Sequence, residues 1–380
     1  MAEAIFWFSI AVVVYAYAGY PCALVVLGRF RTRRVARAPI TPRVSFVIAA
    51  HNEEARIAQK LENTLTQEYP AEALQIIVAS DCSSDRTDEI VRGHGDRVRL
   101  VRAPERRGKE AAQRLALGEA DGDVIVFSDV ATALAPDAVS TIVGNFADPT
   151  IGCVSSVDRF VDDDGQVSGE GAYVRYEMFL RTLESRVNTL VGLSGSFFAA
   201  RRDVCRDWAS DRQSDFSTLL NSVRLGLRGI SDPASVGYYR NITDERQEFN
   251  RKVRTVGRGI AVLAANLSLL NPFRYGLFAW QLASHKLCRW LVPFALIVAV
   301  IANAALAPGS SLYTAALLLQ SAFYTAAAAG LWSRHRALRI PAFFVLSNVG
   351  VLAAWARFAR GDRITTWTPS ERLQGLPTIR

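Results

Sequence analysis

Hydrophobic and polar positions divide the chain into three regions. Uncharged runs cover residues 5–27 and 290–333, and a shorter apolar stretch covers 340–356. Between about 44 and 260 the apolar runs are short and are separated by polar stretches of helical length. A helix of about 20 apolar residues is long enough to cross the hydrocarbon core of a bilayer. The pattern therefore predicts one membrane helix near the N-terminus, two or three near the C-terminus, and a soluble domain between them.

In the first part of the middle region, short β-rich runs alternate with polar stretches that suit helices. The predicted strands are 44–50, 75–80, 98–103 and 124–129, and the predicted helices are 53–65, 84–92 and 109–117. Strands that alternate with helices of this length predict a parallel sheet with right-handed crossovers.

After Val130 the alternation ends. The pattern predicts a strand or hairpin around Gly195, a helix within 213–229 and a basic helix within 245–259. The predicted organisation is an N-terminal transmembrane helix (1–30), a basic juxtamembrane linker (31–43), a soluble domain (44–260), an interfacial amphipathic region (261–290), a C-terminal transmembrane region (291–358) and a tail (359–380).

Acidic residues are concentrated in the middle region. None occurs from Ala4 to Asn52, and only Asp362 and Glu371 follow Ile260. The net charge of +8 therefore reflects basic residues that flank the apolar segments. No stretch interleaves aromatic and basic residues in the way that nucleic-acid binding requires, so nucleic acid is not an expected partner.

The basic residues also predict topology. Directly after the first apolar run come Arg29, Arg31, Arg33, Arg34 and Arg37. By the positive-inside rule they predict a multi-pass protein of the cell (inner or plasma) membrane whose middle domain is cytoplasmic. A cleaved signal peptide is the alternative, but no basic segment precedes the apolar run. If all three C-terminal segments cross, the basic tail lies outside against the rule, so the side of the tail is open.

Other kinds of site are not indicated. The five cysteines show no CxxC spacing, so neither a zinc site nor a disulfide framework is expected, as in a reducing compartment. The Gly-Lys pair at 108–109 lacks the spacing of a phosphate-binding P-loop. The stretch 81–92 resembles a calcium loop in its oxygen-bearing residues but lacks the required glycine and final glutamate.

Polar residues follow several predicted strands at their carboxyl ends, namely 51–54, 80–85 and 128–129. In open α/β sheets, ligands bind outside the carboxyl ends of the strands. These residues therefore mark a candidate binding edge. Asp215 begins the later predicted helix, and its residue type suits either a helix cap or a catalytic carboxylate.

In order and spacing, these stretches resemble the membrane enzymes of glycosyltransferase family 2. "VIAAHNEEARI" resembles the first-strand motif of the family, with Asn52 and Glu53 matching. "VASDCSSDRT" is similar to the turn that holds the nucleotide base, which assigns that role to Asp81, although Cys82 replaces the usual glycine. "RGKEAAQ" resembles the Gly-Lys helix start, with Lys109 near the phosphates of the sugar donor.

Later stretches extend the resemblance. "FSDVAT" stands where the family has its Asp-x-Asp metal motif, so Asp129 is expected to bind Mg²⁺ or Mn²⁺ although Ala131 replaces the second acid. "SDF" makes Asp215 the candidate general base, and "SGS" assigns Ser194 and Gly195 to the acceptor side. A cationic stretch, "RQEFNRKVR", partly matches the Gln-x-x-Arg-Trp motif of processive synthases. Its candidate diphosphate or acceptor contacts are Gln247, Arg251 and Lys252.

The resemblance implies a nucleotide-diphospho-sugar transferase-like (GT-A) α/β domain with a parallel-rich sheet, and transmembrane helices at both ends. It implies a membrane-embedded inverting glycosyltransferase that uses a nucleotide-sugar, a UDP-sugar first of all, to extend a polysaccharide or glycan, with possible partner subunits of a synthesis or export complex. Transfer to a lipid or lipid-phosphate acceptor is one alternative. A catalytically silent membrane subunit that binds sugar nucleotides is another, because the second metal acid is missing.

Overall fold

The structure, a computed structural model, describes residues 1–161, 172–240, 245–333, 335–362 and 376 of the 380-residue chain. The α-helices in this part of the chain are α1 (Ala2–Val14), α2 (Tyr20–Phe30), α3 (Ile57–Leu65), α4 (Thr87–Arg92), α5 (Lys109–Glu119), α6 (Ala138–Val143), α7 (Ala172–Val187), α8 (Ser214–Arg224), α9 (Glu245–Ala264), α10 (Pro272–Tyr275), α11 (Leu277–Leu282), α12 (Arg289–Leu306), α13 (Ser311–Ala329) and α14 (Arg336–Ala359). The strands are β1 (Val44–Ala50), β2 (Leu74–Ser80), β3 (Arg99–Arg102), β4 (Val124–Asp129), β5 (Ala133–Leu134), β6 (Ile151–Val161), β7 (Phe197–Arg201) and β8 (Arg228–Arg240).

The chain forms two compact units. The helical unit comprises Met1–Val26 and Asp244–Arg363, and the sheet unit comprises Leu27–Thr243 and Ile364–Arg380. Every residue that the sequence assigns to the sugar donor or to catalysis lies in the sheet unit, apart from the cationic stretch on α9.

The sheet unit contains one eight-stranded sheet in the order β3-β2-β1-β4-β7-β6-β8-β5. Its first half is parallel: β1 pairs with β2 and β4, and β2 pairs with β3. All seven residues of β1 are buried, as expected for a parallel strand that is covered on both faces. The four strands predicted from the sequence are confirmed, to within a residue at each end.

The second half of the sheet is mixed. Strand β7 pairs antiparallel with both β4 and β6, while β6 and β8 run parallel to each other. The sequence pattern did not predict β6 or β8. Strand β8 contains Asp232, Pro233 and Gly237, residue types that are depleted in strands, and the β6–β8 register shifts between Ser155 and Val157. Burial and pairing in the folded sheet override these weak local preferences.

The core lies on both faces of the sheet. Successive side chains of a strand point to opposite faces, so Phe46 belongs to one apolar cluster and Val47 to the other. In the second cluster the ring of Phe127 stacks on Phe198 at 4.7 Å and on Trp208 at 4.9 Å between ring centroids. This packing fixes the end of β4, where the candidate site begins.

The helical unit contains helices that are long and apolar enough to cross a membrane. Judged by length and composition, the described residues hold four such segments: Ala2–Phe30, Leu277–Gly309, Ser311–Ala329 and Ala337–Ala359. The two helices predicted within 290–333 are confirmed, separated by a turn at Ala307–Gly309. The third candidate, 340–356, lies within α14, so three of the four segments are C-terminal.

The region between the basic helix and the first C-terminal apolar helix is not one continuous helix. After α9, a 3₁₀ turn at Leu267–Leu270 and the short helix α10 lead to α11. Helix α11 then continues through a π-helical segment, Ala283–Cys288, directly into α12. The long helix thus starts within the stretch predicted to be interfacial, and an interfacial location for 261–290 stays a prediction.

Candidate active site

The loops that follow β1 and β2 are bonded to each other. Asn52 Oδ1 accepts a hydrogen bond of 2.8 Å from the Ser84 N–H, and the Glu54 N–H donates to Asp85 Oδ2 at 3.0 Å. Burial raises the pKa of Asp85, but hydrogen bonds from Thr87 and from the backbone outweigh it, so the net pKa lies below its usual value. The loop after β2, which is predicted to hold the nucleotide base, therefore contains a negatively charged carboxylate, Asp85, that accepts a hydrogen bond from the loop after β1.

Glu53 lies inside this pair of loops. Its side chain is 2% exposed and forms an ion pair with Arg56 at 2.7 Å. Its N–H donates to Thr87 Oγ1 at 2.8 Å. These contacts hold the segment that enters α3, and a direct contact of Glu53 or Asn52 with the sugar donor stays a prediction.

Cys82, which stands where the family motif usually has glycine, adopts the left-handed backbone conformation that glycine tolerates best. Its φ angle is 55°, and Asn52 has a φ of 52° in the adjacent loop. The left-handed conformation costs a residue with a Cβ about 1–2 kcal/mol. The turn therefore carries backbone strain at Cys82 that a glycine would avoid.

Asp81 holds the turn in front of α5. Its carboxylate is 1% exposed and accepts hydrogen bonds of 2.9 Å from the backbone N–H groups of Arg107 and Gly108. Gly108 has a φ of 101°, which a residue with a side chain rarely adopts. Asp81 therefore fixes the point from which Lys109 leaves the turn, whereas contact with a nucleotide base stays a prediction.

Lys109 joins three elements of the site. Its ammonium forms an ion pair with Asp129 and donates a hydrogen bond of 3.0 Å to the Gly195 carbonyl oxygen. Burial lowers the pKa of Lys109, but the charge and hydrogen bond of Asp129, with smaller contributions from Glu110 and Asp215, outweigh it. The net pKa is raised, so Lys109 stays charged at neutral pH.

Asp215 lies against the loop that Lys109 contacts. A Cβ atom added to Gly195 would lie 2.9 Å from Asp215 Oδ2. The N-cap of α8 is Gln213, and Asp215 lies in the first helical turn, where its Oδ1 accepts a 2.6 Å hydrogen bond from the Phe216 N–H. Asp215 is therefore not the capping residue itself. The helix N-terminus nevertheless favours its negative charge, as a general base requires.

A carboxylate missed by the sequence analysis organises the acceptor-side loop. Asp158, on β6, accepts a hydrogen bond of 2.6 Å from the Ser194 hydroxyl and another from Ser196. Ser155 Oγ accepts the Ser194 N–H at 2.7 Å and a hydrogen bond from buried Arg181 at 2.5 Å. Because β6 was not predicted, no sequence signal indicated that Asp158 would meet this loop.

Lys60 is a second functional candidate that the sequence analysis missed. Its side chain is fully buried, and Nζ lies 2.7 Å from both Ser128 Oγ and the Thr132 carbonyl oxygen, on either side of Asp129. Burial lowers the pKa of Lys60 to about 7, against the opposing effect of Asp129.

The helical period would have revealed Lys60. In α3 the buried positions are Ile57, Lys60, Leu61 and Thr64. This spacing of three and four residues defines one face of a helix, and the face points toward the core. A lysine on such a face has to find polar partners inside the protein.

The cationic stretch lies on α9 in the helical unit. Arg251 forms an ion pair of 2.7 Å with Glu248 on the same helix, and Lys252 Nζ donates to Ser347 Oγ on α14 at 3.1 Å. Gln247 also lies on α9. A contact of these three residues with a diphosphate or an acceptor stays a prediction.

The residues fit a divalent metal that takes one ligand from the protein and others from a diphosphate. In the described residues, no three His, Cys, Asp or Glu side chains are grouped to hold a metal ion by themselves. Asp129 offers one carboxylate, 30% exposed, and Ala131 offers none. Magnesium is commonly bound by one or two carboxylates together with substrate phosphates and waters. Asp129 would hold such an ion after separating from Lys109.

Comparisons with known proteins identify the type of domain. The family model described as glycosyl transferase family 2 matches residues 45–208. A probable glycosyltransferase of Bacillus subtilis, YdaM, is 38% identical over 94 residues, which are 23% of this chain and 22% of that protein. The poly-β-1,6-N-acetyl-D-glucosamine synthase of Staphylococcus aureus is 28% identical over 199 residues, 49% of this chain and 46% of the synthase. The chain thus matches less than half the length of these curated relatives.

One solved structure is similar over nearly the whole chain. The mannosyltransferase PcManGT from Pyrobaculum calidifontis, solved with GDP-Man and Mn²⁺, matches with a TM-score of 0.73 and 26% identity. The match covers 94% of this chain and 98% of the mannosyltransferase. The expected GT-A fold is confirmed. This chain therefore carries a glycosyl transferase family 2 domain, built on the GT-A fold and joined to helices that are long and apolar enough to cross a membrane.

Proposed function

We propose that this chain is a membrane-embedded inverting glycosyltransferase. It transfers a sugar from a nucleotide-sugar to a growing polysaccharide or glycan at the cytoplasmic face of the cell membrane. The observation that carries the proposal is the convergence of Lys109, Asp129, Gly195 and Asp215 at one edge of the sheet. A cation for the diphosphate and a carboxylate for the acceptor are thus separated by a single loop residue, Gly195.

The reaction needs a base on the acceptor side. Asp215 removes the proton from the acceptor hydroxyl as that oxygen forms a bond to the anomeric carbon. The bond between that carbon and the diphosphate oxygen breaks on the opposite face, and the nucleoside diphosphate leaves with the electron pair. Attack and departure on opposite faces invert the configuration of the anomeric carbon.

The leaving group needs positive charge. Lys109 donates hydrogen bonds to diphosphate oxygens as their negative charge grows, because it is fixed by the Asp81-held turn and stays protonated. A bound Mg²⁺ or Mn²⁺, held by Asp129 and the diphosphate, would add Lewis-acid stabilisation of the same charge. The Mn²⁺ in the structure of the mannosyltransferase supports this assignment.

The experiment is a panel of sugar nucleotides with purified protein. UDP-sugars are tested first, because the proposed contact of Asp81 with the nucleotide base suits uracil. GDP-mannose is included because the structure of the mannosyltransferase contains GDP-Man. Release of nucleoside diphosphate is measured with and without Mn²⁺. Asp215→Asn should bind nucleotide as wild type does and lose transfer by at least about 100-fold, since the base is removed. Equal transfer by Asp215→Asn contradicts the assignment, and no turnover of any donor by wild type favours a silent binding subunit.

Transfer to a lipid or lipid-phosphate acceptor is the second candidate. The described residues contain only four candidate membrane helices, and the structure with the broad match is a mannosyltransferase rather than a synthase. Supplying the panel with a lipid extract from the source membrane distinguishes the two. Radioactive sugar that partitions into organic solvent identifies a lipid acceptor, whereas a water-soluble or insoluble polymer identifies a glycan acceptor.

A further inference from the structure

Lys60 lies against the turn that carries Asp129. Its Nζ atom is 2.7 Å from the Ser128 hydroxyl oxygen and 2.7 Å from the Thr132 carbonyl oxygen. The ring of Phe46 lies 5.5 Å away, with its face toward the ammonium. The two bonded residues flank Asp129 in sequence, so the ammonium is held at a fixed place beside the turn that carries Asp129.

A neutral side chain would serve a purely structural role better. Burying an ammonium is costly unless it is paired with a carboxylate, and both direct acceptors of Lys60 are uncharged. A methionine is only one atom shorter and would fill most of the same space without a charge. The presence of a lysine therefore indicates that its charge is used.

The charges around the diphosphate position also require an explanation. Ala131 stands where the family motif has a second acid, so the turn carries one carboxylate, Asp129. Two ammonium groups, of Lys109 and Lys60, act on that carboxylate. The carboxylates of Glu110 and Asp215 also act on Lys109. A protonated Lys60 therefore offsets one negative charge of this group, which favours an anion and disfavours a cation.

On the basis of the proposed function, we propose that Lys60 is an electrostatic positioning residue for the sugar donor. Its buried charge and its hold on the Ser128–Thr132 turn strengthen binding of the nucleotide diphosphate and weaken binding of a divalent metal alone. The site thereby favours the metal that arrives with the nucleotide. Lys60 acts by holding the Ser128–Thr132 turn and by the electrostatic effect of its charge, without touching the sugar.

The charge of Lys60 is proposed to weaken metal binding and to strengthen nucleotide binding, and these opposite effects distinguish this role from a structural one. Replacing Lys60 by a neutral residue removes repulsion toward a cation and attraction toward an anion. For unit charges about 8 Å apart at an effective dielectric constant of about 20, Coulomb's law gives roughly 30-fold, so after screening by solvent the expected change is at least about tenfold in each dissociation constant. Loss of structure would weaken both kinds of binding together.

The test uses the full chain in detergent at pH 6.5, with Lys60→Met. Binding of Mn²⁺ alone is measured by electron paramagnetic resonance, and binding of UDP and of GDP without metal is measured by titration calorimetry in chelator. We expect Lys60→Met to bind Mn²⁺ at least about tenfold more tightly than wild type and to bind the nucleotide at least about tenfold more weakly. Lys60→Gln, which keeps a hydrogen-bonding group, should show the same signs if Lys60→Met does not fold.

Thr64→Val is the matched control. Thr64 is fully buried one turn further along α3, and its hydroxyl donates to the Lys60 carbonyl oxygen at 2.8 Å. The substitution removes a buried hydrogen bond without changing charge, so both affinities should stay within about twofold of wild type. A neutral Lys60 variant with unchanged Mn²⁺ affinity, or with both affinities lowered together, overturns the proposal.

Failure of the proposed function gives a different result. If wild type binds neither UDP nor GDP, the nucleotide-sugar assignment is wrong. The same comparison is then made with Mn²⁺ alone and with inorganic pyrophosphate, and opposite changes in these two affinities support the role of Lys60, whereas parallel changes or none overturn it.

Discussion

The carboxylate of Asp215 lies directly against the backbone of Gly195. A Cβ atom at residue 195 would be 2.9 Å from Asp215 Oδ2, closer than such atoms approach in proteins. The φ angle of Gly195 is not in the left-handed region, so steric space rather than backbone conformation requires a glycine here. The position of the proposed base therefore depends on the absence of one methyl group.

Gly195→Ala should move Asp215 and slow transfer. A displacement of about 1 Å at a catalytic group costs on the order of 100-fold in rate, so we expect kcat to fall by at least about tenfold while the KM for the sugar donor changes little. Steady-state kinetics with the accepted sugar nucleotide measure both parameters.

The control is Gly118→Ala in α5, where an added Cβ meets no atom within 4 Å. It should retain wild-type kinetics. A fully active Gly195→Ala enzyme would show that Asp215 does not need this position.

Asp81→Asn should loosen the turn before α5. Both carboxylate oxygens accept backbone N–H groups, and an amide offers only one acceptor oxygen, so one N–H of the Arg107–Gly108 turn loses its bond. We expect the KM for the sugar donor to rise about tenfold or more, because Lys109 is no longer fixed. Asp121→Asn removes an exposed acid that pairs with Arg43 and should leave KM unchanged.

Asp129→Ala tests the proposed metal carboxylate. The variant should lose activity, or need at least about tenfold more Mn²⁺ for half-maximal rate, because no second acid of the motif is present. Metal titration of the initial rate measures this. Asp137→Asn, an exposed acid later in the same stretch, serves as the control. Unaltered metal dependence of Asp129→Ala would remove this residue from the metal site.

Lys60 predicts a pH dependence of stability. Its pKa is about 7 in the folded chain against an ordinary 10.5, so between these values the unfolded chain binds more protons than the folded one. Unfolding free energy therefore rises with pH across this window, by up to about 1.4 kcal/mol per pH unit, and the penalty is constant below pH 7. Lys60→Met lacks this contribution.

Thermal unfolding of wild type and Lys60→Met at pH 6.5, 7.5 and 8.5 measures the effect. The stability advantage of Lys60→Met should be largest at pH 6.5 and shrink at each higher pH. The difference between wild type and Thr64→Val should not vary with pH. A margin that is the same at all three pH values would mean that Lys60 does not titrate in this range.

The parallel half of the fold was predictable because each element there is encoded locally. Strand β1 is a continuous run of buried apolar residues, and the polar residues at its end and at the ends of β2 and β4 belong to the candidate site, as the parallel-sheet rule requires. Lys109, Asp129 and Asp215 were identified from motif resemblance, and the structure brings all three to one loop.

The remaining parts depend on contacts that are distant in the chain. Strand β8 has weak β propensity and exists because β6 pairs with it, so Asp158 could not be assigned to the site beforehand. The helical period of α3 places Lys60 on the buried face, but the sequence does not show which polar groups it meets there. Its partners are 68 and 72 residues away in sequence.

The hydrogen bonds between the loops after β1 and β2 bear on how the proposed nucleotide donor would bind. Asn52 and Glu54 are hydrogen-bonded to Ser84 and Asp85 by contacts within the chain itself. A binding surface whose walls are joined before the ligand arrives loses little conformational entropy on association. Selection among nucleotide bases should therefore depend on the fit of the base to preformed loops, and a base of the wrong shape should bind weakly because the loops do not adjust to it.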